Sequence, residues 1–417
     1  MKTVVLDDDP TGTQSAHGVD VLLSWDATRL AQALRRTGAV YLQTNSRALA
    51  EADAITLAKR IKEEVKQAEA AVGDQIRVVL RGDSTLRGHV FAETDIFVDD
   101  DSPILFLPAF PDGGRTTKNG IHYVSVDGLD TPAHETEYAA DPVFPFRHSD
   151  LVSYVKDLGS RDAVTVPLAQ VRESEGRAVT QALLQAPGRS VVAPDATTDE
   201  DIDLVHAGLE AAIRAGRRVV VRCASPLAAR CAGAASPGLL PHPIQRCPGP
   251  ILIVCGSHTD GATRQLAALE KATGVAPAVI DTDHAFSDPL EAGRSIIGQA
   301  RQNLSGAGLA IIASGRARRS ADNTLDHGAK VMTALTTAVV ALAEHVGVVV
   351  AKGGITSAEV AATGLGADQA TVRGQILPGV SVWDLSTRNG ACTYVVVPGN
   401  VGRPDTLVEI VGMLTPH

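Results

Sequence analysis

The sequence predicts an α/β fold with two domains, each with a mostly parallel sheet flanked by helices. Short β-branched runs such as Thr3–Leu6 and Ile76–Leu80 recur along the 417 residues, and helical patterns follow them. This alternation favours parallel sheets, in which ligands bind at the loops beyond the carboxyl ends of the strands. Further runs of this kind are Ile104–Leu107, Ser190–Ala193, Val219–Arg222, Ile251–Cys255, Leu309–Ala313 and Val346–Ala351.

The longest predicted helix spans Ala48–Val72. Its apolar residues from Ile61 onward recur at steps of four, three and four residues, which is the spacing of one helix face. Gly73 follows as a stop signal, and a weaker strand, Val40–Gln43, precedes the helix. These residues therefore predict one strand–helix repeat of the N-terminal domain.

A proline-rich stretch, Ser236–Pro250, marks the predicted boundary between the domains. It carries five prolines, a density that prevents regular strand pairing and stiffens the chain. The length also favours two large domains, since a domain typically has about 100–200 residues. We therefore predict an N-terminal domain over residues 1–235, a linker over 236–250 and a C-terminal domain over 251–417.

Composition argues against several classes of partner. The net charge of −10 repels nucleic acid and anionic membranes, and aromatic residues, at 3%, leave few rings for stacking on bases. Five cysteines without a C-x-x-C pair argue against a disulfide framework and a zinc site. The N-terminal apolar run is too short for a signal peptide, and the apolar region Leu335–Ala351 is interrupted by Glu344 and His345. We therefore expect a cytoplasmic protein with no nucleic-acid or membrane partner.

Three adjacent carboxylates, Asp7 to Asp9, follow the first predicted strand. Because like charges repel, such a run indicates a nearby arginine, a bound metal ion or a catalytic role. An Asx-type turn, with Pro10 and Gly12 supplying the bend, is the structural alternative.

The second motif, Thr44–Arg47, lies between the weak strand and the long helix. Polar groups at a helix N-terminus bind anions, and Arg47 adds positive charge there. Simple capping of the helix by Ser46 is the alternative.

The third motif, Arg81–His89, again lies between a strand and a helix. Its arginines offer bidentate donors for a carboxylate or phosphate, and Asp83 can accept a proton from a substrate hydroxyl. The alternative is a surface loop with an internal arginine–aspartate pair, although the glycines of the motif let a backbone approach a ligand closely.

The fourth motif, Pro108–Arg115, brings another arginine to another strand end, with a plain turn as the alternative. Four strand ends thus carry polar residues of catalytic type, and three of them carry arginine. If these strands are neighbours, the four loops converge on one anion-binding pocket.

The C-terminal half offers glycine-rich turns instead. Gly256–Thr263 superficially matches the phosphate loop, but Ala262 replaces its lysine, so it is not a Walker A motif. Lys352–Ser357 ends a strand and opens a helix, where glycine N–H groups suit polyphosphate binding. An ordinary strand-to-helix turn is the alternative for each. The lack of a G-x-G-x-x-G fingerprint disfavours a dinucleotide cofactor.

Taken in order, these motifs resemble the four-carbon acid sugar kinase family. The resemblance covers essentially the whole chain, and the element Asp83–Gly88 with the downstream Pro108–Pro111 is its most specific part. Its other elements are Asp8-Asp9-x-Thr11-Gly12, Thr44–Arg47, Gly114-Arg115, Gly256-Ser257 and Gly353-Gly354-x-Thr356.

The resemblance implies an N-terminal domain that binds an acid sugar and a C-terminal domain that binds ATP with Mg²⁺ bridging its phosphates. It implies transfer of a phosphoryl group to a hydroxyl, usually the terminal one, of a tetronate, a 3-oxo-tetronate or a related short acid. We predict that Arg47, Arg81, Arg87 and Arg115, not necessarily all at once, bind the substrate carboxylate. The other predicted substrate-binding residues are Asp9, Thr11, Gly12, Asn45, Ser46 and Ser84. The implied ATP-binding residues are Ser257, Gly353, Gly354, Ile355, Thr356 and Gly399.

Asp83 or Asp8 is the expected catalytic residue, which orients the attacking hydroxyl or takes its proton. We predict no metal site made by the protein alone, and a homo-oligomer stays open. Family members commonly carry Lys-Ser-Gly in a late loop, whereas this chain has Val397–Gly402 without the lysine or serine. Two alternatives to a kinase are a non-catalytic acid-sugar sensor, suggested by that loop, and an ATP-independent acid-sugar isomerase or aldolase.

Overall fold

A computed structural model of the chain describes residues 1–126, 128–241, 244, 247–315, 325–399 and 401–414. Its strands are β1 (Lys2–Asp7), β2 (Asp20–Leu22), β3 (Ala39–Gln43), β4 (Ile76–Arg81), β5 (Ile104–Leu107), β6 (Arg115–Lys118), β7 (Ile121–Val126), β8 (Leu129–Pro132), β9 (Ala163–Val166), β10 (Val191–Pro194), β11 (Val220–Cys223), β12 (Ile251–Cys255), β13 (Ala278–Ile280), β14 (Leu309–Ser314), β15 (Val348–Lys352), β16 (Gln369–Leu377), β17 (Val380–Thr387) and β18 (Gly390–Val397).

The helices are α1 (Ala27–Arg36), α2 (Glu51–Val72), α3 (Val90–Phe97), α4 (Leu151–Gly159), α5 (Leu168–Glu173), α6 (Arg177–Gln185), α7 (Asp199–Arg214), α8 (Ser225–Cys231), α9 (Asp260–Thr273), α10 (Thr282–Ser287), α11 (Pro289–Ser295), α12 (Ile297–Ala307), α13 (Leu325–Leu342), α14 (Gly354–Glu359) and α15 (Thr406–Leu414). Within the described residues, none of these helices combines the length and the apolar character needed to cross a membrane.

The chain divides into two compact units. Unit 1 contains Met1–Asp8 and Asp26–Ala235, and unit 2 contains Asp9–Trp25 and Ser236–His417. This division differs from the limits predicted from the sequence at two places, because Asp9–Trp25 and the predicted linker 236–250 both group with the C-terminal residues. Within the predicted linker, residues 242, 243, 245 and 246 lie outside the described part of the chain.

Unit 1 is built on a parallel sheet in the order β3-β1-β4-β11-β5-β10-β9. Its strands β3, β5, β10 and β11 are buried throughout, and Ile104, Phe106 and Val191 pack with helix residues such as Phe91 and Tyr154 into one core. Burial on both faces favours such continuous apolar strands over alternating ones. The sequence therefore predicted this sheet correctly as a parallel α/β element.

The helix α2 illustrates how the sequence sets an element of unit 1. Ile61, Val65 and Ala68 are buried on one face, as their spacing predicts. The helix ends at Gly73, whose φ of 74° is left-handed and whose N–H donates to the Glu69 carbonyl. Its start lies at Glu51 instead of the predicted Ala48, because Ser46–Ala48 forms a separate 3-10 turn.

Unit 1 also contains a small antiparallel sheet, β6-β7-β8, that the sequence analysis did not predict. Asn119 and Gly120 form the turn between β6 and β7, both with left-handed φ angles of 54° and 73°. An Asn-Gly pair is the strongest short-range hairpin signal, so the sequence did contain a clue.

Unit 2 continues the α/β pattern and then departs from it. Its strands lie in the order β13-β14-β12-β15-β18-β17-β16-β2, and the pairs from β13 to β18 are parallel. The remaining pairs are antiparallel, and β16, β17 and β18 form a meander that the sequence analysis did not predict. The sheet of unit 2 is therefore mostly parallel with an antiparallel part, and its core includes Ile253, Ile311 and Val350.

Candidate functional site

The predicted polar loops of unit 1 meet at the carboxyl ends of β1, β3 and β4, which are adjacent strands. Asp7 at the end of β1 pairs in register with Gln43 of β3 and with Arg81 of β4. The residues that follow these positions therefore lie at the same edge of the sheet. We call this cluster the charged edge and define it as Asp7, Asp8, Arg47, Arg81, Asp83 and Arg87.

Arg81 forms the buried centre of the charged edge. One of its terminal nitrogens lies 3.2 Å from Asp7 Oδ1 and 3.0 Å from Asp8 Oδ1, and all three side chains are 3% exposed or less. Burial raises the pKa of Asp7 to about 7, although Arg81 opposes that shift. A nearby arginine was one of the three explanations that the sequence offered for the aspartate run. Arg81 provides it for Asp7 and Asp8.

Arg47 and Arg87 form the outer part of the charged edge, and they share Asp83. Arg87 Nε lies 2.8 Å from Asp83 Oδ2, and Arg47 lies 3.3 Å from Asp83 Oδ2 and also 3.3 Å from Asp8 Oδ1. Burial alone would raise the pKa of Asp83, but Arg87, Arg47 and the Thr85 hydroxyl outweigh it and hold that pKa well below its ordinary value. Asp83 is therefore ionised and orients two guanidinium groups.

The loop that carries Asp83 has an unusual backbone. Leu86 has a left-handed φ of 67°, a conformation that costs energy for a residue with a Cβ and is often found at functional sites. Tyr154 donates to the Leu86 carbonyl at 2.7 Å, and His122 Nε2 donates to the Ser84 carbonyl at 2.8 Å. Burial lowers the pKa of His122 to about 4, so this histidine is neutral near pH 7 and supports the loop.

The other predicted residues of this region have defined places. Asn45 adopts a left-handed φ of 50° at the start of the 3-10 turn, and Ser46 and Ser84 are buried beside the charged edge. The 3-10 turn Ser46–Ala48 contains Arg47 and begins three residues after the end of β3. The second motif therefore forms a turn before the helix, and α2 itself begins four residues after Arg47.

The fourth motif lies farther along the sheet than the sequence analysis assumed. The strand β11 pairs with both β4 and β5, so the loop after β5 is not adjacent to the loop after β4. Arg115 is nevertheless buried near Asp83, and burial lowers its pKa. It donates to the Gly113 carbonyl and is hydrogen-bonded to the Tyr138 hydroxyl. The fourth loop therefore reaches the region of the charged edge through its arginine.

Tyr138 and Asp141 are site residues that the sequence analysis missed. The guanidinium of Arg87 lies over the Tyr138 ring, 5.0 Å from its centre, and 3.3 Å from Asp141 Oδ2. Tyr138 lies in a short 3-10 helix, Glu137–Ala140, and Asp141 follows it directly, so no strand-end pattern marks either residue. Tyr138 thus contacts both arginines, Arg87 through its ring and Arg115 through its hydroxyl.

Arg222 and Glu93 are a second missed pair. Arg222 at the end of β11 donates to Glu93 of α3 at 2.7 Å, and both side chains are nearly inaccessible to solvent. A Cβ on Gly82 would lie 2.6 Å from an Arg222 nitrogen, so a larger residue there would have to displace the Arg222 guanidinium. Arg222, Glu93 and Asp8 help to line a cavity of about 10 Å³. This volume has room for one water molecule and is too small for an acid sugar.

The predicted nucleotide-binding residues lie in unit 2, at the carboxyl ends of β12, β15 and β18. These three strands are adjacent and parallel. A Cβ on Gly399 would lie 2.9 Å from Ser257 Oγ and 3.9 Å from Gly353 Cα, so the three loops converge. We call this cluster the glycine cradle and define it as Gly256, Ser257, Gly353, Gly354, Thr356 and Gly399.

The glycine cradle leaves no room for added side chains. A Cβ on Gly256 would lie 2.3 Å from Thr356 Oγ1, and one on Gly353 would lie 3.1 Å from the same atom. Gly353 also has a φ of 116°, a conformation that residues with a Cβ rarely adopt. The Gly353 N–H donates to the Val397 carbonyl at 2.8 Å, which ties this turn to the late loop. Glycine turns with small hydroxyl side chains of this kind suit the phosphates of a nucleotide. Ile355, the remaining predicted residue, is exposed at 39% in α14.

Lys352 supports the late loop and was not among the predicted site residues. Its buried amine donates to the Pro398 carbonyl at 2.7 Å and to the Val401 carbonyl at 2.9 Å. Burial lowers the pKa of this amine to about 8. Lys352 pairs in register with Val397, the position where the resemblance leads one to expect a lysine. Asn400 of the same loop lies outside the described residues.

The structure separates the first motif. Asp8 belongs to unit 1, whereas Asp9, Thr11 and Gly12 belong to unit 2. Asp9 Oδ1 accepts from the Thr11 N–H at 2.8 Å and from the Thr11 hydroxyl. The predicted substrate-binding set therefore does not lie in a single unit. In the described part of the chain, no group of three or more His, Cys, Asp or Glu side chains is placed to hold a metal ion.

Two family models match this chain. The sugar-binding N-terminal domain matches residues 3–231, and the nucleotide-binding C-terminal domain matches residues 252–407. The charged edge lies within the first match and the glycine cradle within the second.

Two curated relatives are named D-threonate kinase. The one from Bordetella bronchiseptica is 31% identical over 281 residues, which cover 64% of this chain and 62% of the relative, so the match spans less than two thirds of that protein. The one from Cupriavidus necator is 30% identical over 329 residues, which cover 75% of this chain and 73% of the relative.

Two crystal structures share the fold. A Salmonella typhimurium LT2 protein superposes with a TM-score of 0.70 at 19% identity, with 98% of each chain covered. A DUF1537 protein of Haemophilus influenzae superposes with a TM-score of 0.62 at 19% identity, covering 99% of this chain and 100% of its own. At this level of identity the two structures support the fold alone.

Proposed function

We propose, since this chain belongs to the four-carbon acid sugar kinase family, that it transfers the terminal phosphoryl group of ATP to a four-carbon acid sugar. The acceptor is a hydroxyl, and we assign it to the terminal carbon of a tetronate or 3-oxo-tetronate. The names of both curated relatives support the substrate class. The cytoplasmic location stays a prediction from the sequence.

The exposure of the charged edge carries the proposal. Asp7, Asp8 and Asp83 are 0%, 3% and 5% exposed, whereas Arg47 and Arg87 are 12% and 21% exposed. The cluster therefore presents its guanidinium groups to solvent in front of its carboxylates. A guanidinium held in place by a buried carboxylate is pre-organised for a carboxylate ligand, and it can donate two parallel hydrogen bonds.

The acid group of the sugar is assigned to Arg87 and Arg115. Both guanidinium groups contact Tyr138, that of Arg87 at the ring and that of Arg115 at the hydroxyl, and Asp83 and Asp141 fix the orientation of Arg87. A short carboxylate bound there would contact cations that burial keeps partly desolvated, which strengthens the attraction.

Asp8 is the better of the two predicted catalytic residues. The strongly lowered pKa of Asp83 makes it a poor proton acceptor, so we assign it to positioning Arg47 and Arg87. Asp8 uses Oδ1 for its arginine partners, and its Oδ2 has no hydrogen-bond partner among the described residues. That oxygen can accept the proton of an acceptor hydroxyl.

The glycine cradle fits the second substrate. Its glycines let the three loops approach one another closely, and amide groups at such turns can donate to phosphate oxygens. When bound, ATP supplies the phosphoryl group, which leaves the β–γ bridging oxygen for the sugar oxygen as the hydroxyl proton departs, and Mg²⁺ offsets phosphate charge. Ser257 and Thr356 would orient the phosphates through their hydroxyl groups.

The test is ADP release from ATP and Mg²⁺ with a panel of four-carbon acid sugars of different stereochemistry. We expect turnover with at least one tetronate or 3-oxo-tetronate, and ³¹P NMR of the product would identify the phosphorylated carbon. No turnover on the whole panel would refute the kinase proposal. Acid-sugar binding without MgATP protection against thermal unfolding would support the sensor or isomerase alternatives instead.

A further inference from the structure

The segment after Asp8 is built into unit 2. Trp383 donates to the Thr13 hydroxyl at 2.9 Å, and that hydroxyl lies 3.0 Å from Ser381 Oγ. Farther along the segment, β2 pairs with β16. These buried contacts fix the position of Asp9, at the beginning of the segment, relative to the loops of unit 2.

Asp9 lies directly against the glycine cradle. A Cβ on Gly354 would lie 2.5 Å from Asp9 Oδ2 and 2.8 Å from Asp9 Cγ, so the carboxylate packs on the backbone of the first residue of α14. Its other oxygen accepts from the N–H and the hydroxyl of Thr11. The Asp9 side chain is buried, and the Thr11 contacts set its orientation.

A carboxylate at this place repels phosphate oxygens, and a cation that lies between the two groups reduces that repulsion. The backbone amides of the glycine cradle suit phosphate oxygens, and a negative side chain beside them repels the same oxygens. Mg²⁺ resolves this conflict, because proteins usually hold it through one or two carboxylates together with the phosphates of the nucleotide. A dedicated cluster of three or more ligands is not needed for such a site.

We propose that Asp9 holds the divalent cation of the bound nucleotide, with the Thr11 hydroxyl beside it. This assigns Asp9 and Thr11 to the nucleotide site of unit 2, whereas the sequence analysis placed them among the acid-sugar contacts. The inference rests on the proposed function, since it takes a nucleotide as the ligand of the glycine cradle. The competing role for Asp9 is structural, as the cap of the 3-10 turn Pro10–Ser15.

The test is isothermal titration of ADP into the full-length chain, once with saturating Mg²⁺ and once with EDTA. For the wild type we expect tighter ADP binding in Mg²⁺. For Asp9→Asn we expect that gain to fall by about 10- to 100-fold, the cost typical of damage to a metal site, while the affinity in EDTA stays within about twofold. Affinity for the acid sugar should not change.

Asp20→Asn is the matched control, because it makes the same substitution in the same segment at β2. It should keep the full gain from Mg²⁺. An Asp9→Asn variant with an intact gain would overturn the proposal, and so would equal weakening with and without Mg²⁺, which indicates a structural role. Loss of acid-sugar affinity with an intact gain would return Asp9 to the acid-sugar site.

A second measurement needs no substitution and covers the case in which Asp9→Asn does not fold. Fe²⁺ bound with ADP in place of Mg²⁺, with ascorbate and peroxide, generates radicals that cleave the backbone near the metal. We expect cleavage near residues 9–11 and 353–354 of the wild type. Cleavage only elsewhere would refute the proposal, whereas a wild type that binds neither ADP nor ATP would refute the proposed function itself.

Discussion

The charged edge of unit 1 and the glycine cradle of unit 2 both suit anionic ligands, but they are built from different atoms. The charged edge uses long side chains whose positions are fixed by buried ion pairs, as Arg81 is by Asp7 and Asp8. The glycine cradle uses backbone amides and short hydroxyls, and its shape depends on residues without a Cβ, such as Gly353. The first should therefore be sensitive to loss of charge and the second to added volume.

The largest expected effect comes from the buried centre of the charged edge. Arg81→Met removes the cation that faces Asp7 and Asp8 and leaves two buried carboxylates facing each other. Removing one member of a buried ion pair costs about 3–5 kcal/mol, so we expect the free energy of unfolding to fall by that amount in urea titration. Failure of the variant to fold would agree with this prediction.

Arg60→Met is the control, because Arg60 pairs with Glu64 on the exposed face of α2 and its side chain is 59% exposed. Surface pairs of this kind contribute about 0.3–0.5 kcal/mol. Similar losses for the two variants would contradict the view that buried ion pairs hold the charged edge together.

The next effect concerns the buried amine of Lys352, which lies beside the glycine cradle. Its pKa is about 8 in the folded protein, against 10.5 for an ordinary lysine. Between these two values the unfolded chain binds more protons than the folded one, so this group adds stability as pH rises from 8 to 10.5. The shift corresponds to about 3 kcal/mol, at 1.36 kcal/mol per pKa unit.

The measurement is urea unfolding at several pH values for the wild type and for Lys352→Met. Between pH 7 and pH 10.5, the free energy of unfolding of the wild type should rise relative to that of Lys352→Met by up to about 3 kcal/mol. Lys59→Met, on the exposed part of α2, is the control and should give a curve parallel to the wild type. A flat difference for Lys352→Met would show that the amine titrates as it does in water.

The sequence predicted the parts of both regions that depend on residue type at a strand end. Arg47, Arg81 and Asp83 lie together because β1, β3 and β4 are neighbours, and arginine next to aspartate is visible in the sequence. Arg222 was missed because β11 inserts between β4 and β5, and no local pattern reveals that order. Tyr138 was missed because it lies in a short 3-10 helix, where no strand-end pattern marks it.

The assignment of Asp9 depended on information that a local pattern does not contain. Asp8 and Asp9 are adjacent in the sequence, yet the strand pairing of β2 with β16 groups the second with residues more than 300 positions away. The meander of β16 to β18 was likewise missed, because antiparallel strands do not follow the strand–helix rhythm that predicted the rest. Long-range pairing of this kind is set by tertiary packing and is weakly encoded locally.

The smallest of the three effects is the sharpest test of the backbone-based design in unit 2. Gly353→Ala places a Cβ at a φ of 116° and 3.1 Å from Thr356 Oγ1. Strain of this kind costs about 1–3 kcal/mol, which corresponds to a loss of about 5- to 150-fold in ADP affinity if the loop moves to relieve it. Titration of ADP measures that loss, and titration of the acid sugar should give an unchanged affinity.

Gly328→Ala in α13 is the control, since its new Cβ meets nothing within 4 Å, and it should leave ADP affinity unchanged. A Gly353→Ala variant that weakens both ligands equally would break the distinction between a charged edge for the acid and a glycine cradle for the nucleotide.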